Sequence, residues 1–239
     1  MMTRLLLLLI ILVAGAIYSI TARKLTIPAA ITGVILALCV YGGEGFTGLA
    51  MMTSFFILGS AATSWKMKWK QQQGLAESVK GTRTAMQVIA NAGVAAVAGL
   101  VELCYAPFQY YPLMPMMMAA AFAAATADTL SSELGNVYGS RYYNILSFRK
   151  DQRGLNGVIS LEGTLLGVAG SLLIALIFAA GNRGGIRVVG IIVLAGTIGN
   201  LSDSILGATL ERKGWIGNNT VNFLNTAIGA ASVWGVQFL

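Results

Sequence analysis

Apolar runs long enough to cross a bilayer recur along the whole chain, separated by short polar or basic stretches. A spanning helix needs about 20 predominantly apolar residues. Eight segments answer that description: 5–20, 27–41, 46–63, 85–104, 113–134, 157–180, 186–210 and 220–238. Pro28 and the Gly42-Gly43-Glu44-Gly45 turn punctuate the first three. The leucine run after Arg4 imitates a signal peptide, but Arg23 and Lys24 follow it directly, and we expect an uncleaved helix. No stretch of about 100 residues remains for a soluble domain. Residues 1–239 are therefore read as a single polytopic membrane domain, an all-α integral membrane protein built as a bundle of about eight transmembrane helices.

Polar residues inside these runs follow helical spacing. The fifth run is apolar over 113–127 and then meets Asp128-Thr129-Leu130-Ser131-Ser132-Glu133-Leu134-Gly135. Its apolar part rises only ~22 Å as helix, short of a ~30 Å hydrocarbon core, so the helix should continue through Leu134 and hold Asp128 inside the membrane boundary. Acids there are costly and normally kept for a function. Its alanines suit an interior helix that other backbones approach closely. The seventh run carries Gly196, Asn200, Asp203, Gly207 and Glu211 on one face, with Ile198, Leu201, Ile205 and Ala208 opposite. The eighth opens with Asn218, Asn222, Asn225 and Gly229, and the sixth with Gly157, Ser160, Gly163, Thr164, Gly167 and Ser171. Small residues at this spacing also serve plain helix packing.

Composition narrows the chemistry. Histidine is absent from all 239 residues, which removes Ser-His triads, histidine bases and His-ligated zinc. Oxygen donors remain, and they favour Mg²⁺, manganese or calcium. Cys39 and Cys104 form no metal-site spacing and are expected as buried apolar filler. The net charge of +7 sits in short loops and gives no nucleic-acid signal. If the spans alternate, 13 of the 16 basic residues fall on one side, which is then the cytoplasmic side, with both termini outside. The acid, amide and hydroxyl clusters share that side with the loop residues Arg141, Arg149, Lys150, Arg153, Arg212 and Lys213.

Oxygen ligands beside clustered cations suit a magnesium-bound polyphosphate. No Walker motif is present. Gly154 and Gly157 could offer backbone amides to phosphate. On this reading Asp128, Glu133 and Asp203 are the catalytic candidates, and with Glu211 they are the Mg²⁺ ligands. Ser131, Ser132, Arg141, Arg149, Lys150, Arg153, Asn156, Gly157, Ser160, Thr164, Asn200, Ser204, Lys213, Asn218, Asn222 and Asn225 are the candidates for binding substrate and nucleotide. An ion-coupled carrier of a small polar solute is the competing class, but carrier sites belong near the midplane between repeated halves, and no repeat is seen. A non-catalytic assembly factor is a third option.

Four ordered blocks carry a resemblance: Ala127 to Gly135, Arg153 to Ser160 with Gly163-Thr164, Asp203 to Leu210, and Asn218 to Asn225. They resemble a membrane family that includes the phytyl-phosphate kinases of plants and cyanobacteria. The resemblance implies a CTP-dependent, or other nucleoside triphosphate-dependent, conversion of an isoprenoid monophosphate such as phytyl or geranylgeranyl phosphate to its diphosphate. The loop charges set the expected location as the cytoplasmic face of a membrane, expected to be a bacterial inner membrane. The family's Gly-Thr-Asn-Gly-Gly block reads Gly154-Leu155-Asn156-Gly157-Val158 here, so nucleotide preference could differ.

Overall fold

In the computed structural model, residues 2–75, 81–105, 113–182, 184–236 and 238 are described. The aromatic stretch 106–112, which the sequence suggests as an interfacial belt, lies outside them, as do Lys80 and Arg183. The helices are α1 (Met2–Thr21), α2 (Ile27–Ser64), α3 (Met67–Gln72), α4 (Ala85–Tyr105), α5 (Leu113–Tyr138), α6 (Leu161–Asn182), α7 (Ile186–Leu206) and α8 (Asn218–Val236). Among the described residues, six helices are long and apolar enough to span a membrane.

One of them does so twice. As a straight rod the 38 residues of α2 would reach ~57 Å. The helix instead folds back at Gly45, whose φ of 58° and ψ of −141° suit glycine best. Its arms, 27–44 and 46–64, lie side by side, so that Ala29 and Ala30 meet Phe56. Lys24 donates to Ser64 Oγ at 2.6 Å, closing the ends of the hairpin. The two expected spans are therefore present, and α8 completes about eight passes.

The centre of the bundle is α5, whose residues from Ala119 to Ala127 are all buried. Small residues bring its neighbours to backbone distance. A Cβ on Gly163 of α6 would sit 2.7 Å from the Ser131 carbonyl. On α7, Cβ atoms at Gly196 and Gly199 would strike Ala123 and Ala124, and Gly229 of α8 likewise faces Ala124. The outward faces are apolar, as Ile198 and Ile205 on α7 show. Cys39 and Cys104 are free, and Cys104 is exposed rather than buried as expected.

At the polar end the loop between α5 and α6 is a built cap. Tyr143–Asn144 (β1) pairs antiparallel with Val158–Ile159 (β2). Helix α6 starts at Leu161, four residues later than the hydrophobic run suggests, because Gly157 has φ 74° and the next two residues join the hairpin. Ser160 then caps the helix, its Oγ accepting from Gly163 N at 3.1 Å. Helix α7 ends in a π turn, Gly207–Glu211, closed by Arg212 N donating to Gly207 O at 3.2 Å.

Candidate functional site

A cavity of about 970 Å³ opens at this end, walled by the C-terminal halves of α5 and α7, the starts of α4, α6 and α8, and the 154–160 segment. The structure brings most of the sequence-predicted site to it. Asp128, Ser131, Ser132 and Glu133 come from α5, Asn156, Gly157, Ser160 and Thr164 from the hairpin and α6, Asn200, Asp203, Ser204 and Glu211 from α7 and its π turn, and Asn218 and Asn222 from α8. Ser131 Oγ donates to Asn200 Oδ1 at 3.0 Å, joining α5 to α7 at the level where close packing gives way to the cavity. The π turn keeps Gly207 and Glu211 on the wall that Asn200 and Asp203 begin.

The basic loop residues are placed differently from the expectation. Arg141, Arg149, Lys150, Arg153 and Lys213 do not line the cavity. The Arg153 guanidinium stacks on Trp69 at 5.0 Å and Tyr142 at 5.8 Å, fastening α3 to the cap. Lys213 lies over Trp215. Arg212 donates to Asp151 Oδ2 at 2.9 Å and to Asn156 O at 2.5 Å, tying the π turn to the hairpin. The Gln152 amide and then this Arg212 contact hold the Asp151 carboxyl below its ordinary range. Two further candidates, one for substrate binding and one for catalysis and metal, also have packing or ion-pair contacts. Asn225 is wholly buried against Gly199, and among the described residues neither of its amide atoms has a hydrogen-bond partner. Glu133 reaches the cavity edge, but its carboxylate is ion-paired with Lys70, whose side chain is 1% exposed. Lys70 also donates to Ala62 O at 3.0 Å and Thr63 O at 2.8 Å, so all three ammonium protons are used.

Sequence reasoning missed Arg83, Gln87 and Asn91, which line the cavity from the start of α4. Among the described residues, Arg83 is the only basic side chain that does so. Its signal was present: Thr84-Ala85-Met86-Gln87 is a capping box, with Thr84 N donating to Gln87 Oε1 at 2.8 Å, which fixes the helix start beside Arg83.

With Glu133 neutralised by Lys70, the wall carries Asp128, Asp203 and Glu211 against Arg83. Among the described residues no three acidic or cysteine side chains could hold a metal ion by themselves. That donor set fits Mg²⁺, which is usually held by one or two carboxylates, with substrate phosphates and water completing the octahedron.

Comparison with known proteins fits this architecture. The model of the family "Integral membrane protein DUF92" matches residues 10–230. The chloroplastic protein VTE6 of Arabidopsis thaliana is 32% identical over 194 residues, 80% of this chain and 57% of that protein. An uncharacterized membrane protein of Synechocystis sp. is 33% identical over 230 residues, 93% of this chain and 86% of the relative. Another, of Methanocaldococcus jannaschii, is 34% identical over 187 residues, 77% and 74% respectively. The chain thus spans little more than half the length of the plant relative. No solved structure matches it. The family resemblance expected from the four sequence blocks is borne out, and the chain belongs to the DUF92 family of integral membrane proteins.

Proposed function

We propose that this protein transfers the terminal phosphoryl group of a nucleoside triphosphate to an isoprenoid monophosphate, giving the diphosphate. The resemblance to the family that includes the phytyl-phosphate kinases favours CTP as donor. The observation that carries the reading is the oxygen-lined cavity of about 970 Å³ at one end of an otherwise apolar bundle. A lipid phosphate reaches such a site from the bilayer and a nucleotide from the water.

In the reaction an oxygen of the acceptor phosphate attacks the γ-phosphorus, a new P–O–P bridge forms, and the bond from that phosphorus to the β-phosphate oxygen breaks to release the nucleoside diphosphate. The acceptor is already an anion, so no base has to remove a proton and the absence of histidine is no handicap. The work left to the chain is positioning and charge. Asp128 and Asp203 would hold Mg²⁺, whose chemistry is to neutralise charge on the phosphates. Arg83 offers a two-pronged contact to phosphate. Asn200, which Ser131 holds in place, and Asn218 and Asn222 supply hydrogen bonds that orient the remaining oxygens. The excess of basic residues in the loops at this end supports a cytoplasmic placement.

The test is formation of prenyl diphosphate by purified protein from radiolabelled nucleotides and a panel of prenyl monophosphates, titrated with Mg²⁺. Asp128→Asn and Asp203→Asn keep shape but lose a negative charge. Each should lower turnover by about 100-fold or more, every ~1.4 kcal/mol of lost transition-state stabilisation being tenfold. Wild-type protein that makes no product with any donor and acceptor sinks the reading and moves the carrier ahead.

A further inference from the structure

A second hollow lies on the flank of the bundle, between the peripheral α1 and the α2 hairpin. It has a volume of about 230 Å³ and a wall dominated by apolar side chains such as Leu12, Val34, Leu49 and Phe56. Gly15 and Gly33 lie in its wall, and a Cβ on either would meet nothing within 4 Å. Ile11, Tyr18 and Ile57 of its wall are themselves exposed, so the hollow lies on the apolar flank of the bundle. At its inner end stand Arg83, Gln87 and Asn91, and these three residues also line the polar cavity. The apolar groove and the polar cavity therefore meet across one side-chain cluster.

Arg83 is fixed at that junction. Its backbone forms a bridge with Leu25, with Arg83 N donating to Lys24 O at 2.9 Å and Thr26 N to Arg83 O at 3.1 Å. Its guanidinium lies over the Phe55 ring at 5.3 Å. Gly59 makes the room: a Cβ there would come within 2.6 Å of an Arg83 nitrogen and 3.4 Å of Thr129, the neighbour of Asp128. A cation is thus held where an apolar channel ends and an acidic, oxygen-rich cavity begins.

We propose that the groove between α1 and the α2 hairpin binds the first isoprene units of a single-chain prenyl monophosphate, with its phosphate against Arg83 in the polar cavity. This deepens the kinase reading and rests on it for the identity of the headgroup. The occupant follows from complementarity, since the wall of the groove is mostly apolar and its one cationic side chain among the described residues, Arg83, is shared with the polar cavity. Size agrees. A cavity of about 150 Å³ admits benzene, so this one admits one or two isoprene units while the rest of the chain lies in the bilayer. The glycines give the methyl branches space that a side chain would fill.

The test uses full-length protein in nanodiscs and a prenyl monophosphate with a diazirine on its first isoprene unit. Saturable labelling is expected on residues 11–19 and 30–37, and geranylgeranyl monophosphate should compete at least ~10-fold better than geranylgeraniol, because a charge-assisted phosphate contact is worth about 1.5–3 kcal/mol. Arg83→Gln should erase that preference, and Arg83→Lys should restore only part of it. Gly33→Phe should block labelling by filling the groove, with Gly15→Leu as a second, milder filler on the other wall. Labelling confined to other helices, no competition by the phosphate, or an unchanged preference in Arg83→Gln overturns the proposal. Labelling needs no turnover, which separates the two readings. Groove labelling without diphosphate product sinks the kinase and leaves the lipid site, whereas product formed with labelling elsewhere sinks the groove and leaves the kinase.

Discussion

Replacing Lys70 by Met tests whether Glu133 is a structural partner or part of the chemistry. Lys70 is wholly buried and gives its three protons to Glu133 and to the Ala62 and Thr63 carbonyls, which belong to the last turn of the hairpin's second arm. Removing it leaves a carboxylate with 9% side-chain exposure and takes a donor from the Thr63 carbonyl, while the Ala62 carbonyl keeps the Trp65 amide at 3.2 Å. Breaking a buried pair from one side costs about 3–5 kcal/mol. Glu133 borders a cavity that water can enter, so the lower end, about 3 kcal/mol, is expected. Lys70→Met/Glu133→Leu removes both charges and should recover most of that loss, giving a coupling energy of at least ~2 kcal/mol. The assay is equilibrium unfolding in mixed micelles for the wild type, both single variants and the double variant, followed by prenyl-diphosphate formation for the double variant. Single variants that each cost under ~0.5 kcal/mol and add independently would refute the clamp. A double variant that is folded but inactive would return Glu133 to the catalytic set.

Gly157→Ala should destabilise by more than the ~1–2 kcal/mol of a left-handed non-glycine residue, because its Cβ would lie 2.5 Å from the Ser204 carbonyl and 2.4 Å from Ala208; wild-type stability in the same unfolding assay would contradict this. Arg153→Ala should loosen α3 from the cap, by about 0.5–1 kcal/mol for an exposed cation–π contact, and leave nucleotide affinity unchanged; a loss of affinity measured by calorimetry would put Arg153 back at the phosphate site. The depressed Asp151 carboxyl contributes stability above its ordinary value of 3.8, and that contribution disappears as pH falls through the lower folded value. Pepsin cleavage of the 139–160 cap should therefore rise only in strong acid for the wild type, and Arg212→Ala should weaken this pH dependence; identical profiles would discount the tie. In a background lacking Cys39 and Cys104, cysteines placed singly at Lys68 and Lys150 should resist an impermeant thiol reagent in intact cells and react after lysis, and labelling in intact cells would reverse the orientation.

Much of this was legible from spacing. Eight apolar runs gave the passes, and the polar stripes of α5, α7 and α8 named the acids and amides that those helices bring to the cavity wall, since a helix fixes which residues share a face. The reading failed where a stripe continues past the change from cavity to core. Asn225 shares its face with Asn218 and Asn222 but lies deeper, where α8 packs on Gly199, and no periodicity reveals depth. The π turn was also invisible, because five residues with α spacing look the same in sequence whichever carbonyl their amides choose. Loop charges misled for a different reason. A loop residue can stack, pair or point to water, and Arg153, Arg212 and Lys213 each found an aromatic or acidic neighbour outside the cavity.

Arg83 shows what topology adds. In sequence it is one of several basic residues between two spans, and its neighbours explain it as a determinant of orientation. In space the chain returns from α3 to α4 past the start of the α2 hairpin, and the bridge to Leu25 commits residue 83 to the seam between α1, α2 and α4. A flexible loop arginine loses substantial rotamer entropy on binding phosphate. Here the Phe55 ring, the gap above Gly59 and the capped start of α4 have already restricted the side chain, so less remains to be lost. The acids are held with similar economy: Asp128 and Asp203 project from helices locked below them by Ala123, Ala124, Gly196 and Gly199. The small residues that pack the core and the charged residues that face the cavity are thus successive turns of the same helices. Enlarging Gly196 or Gly199 should therefore displace the carboxylates above as well as destabilise the bundle below.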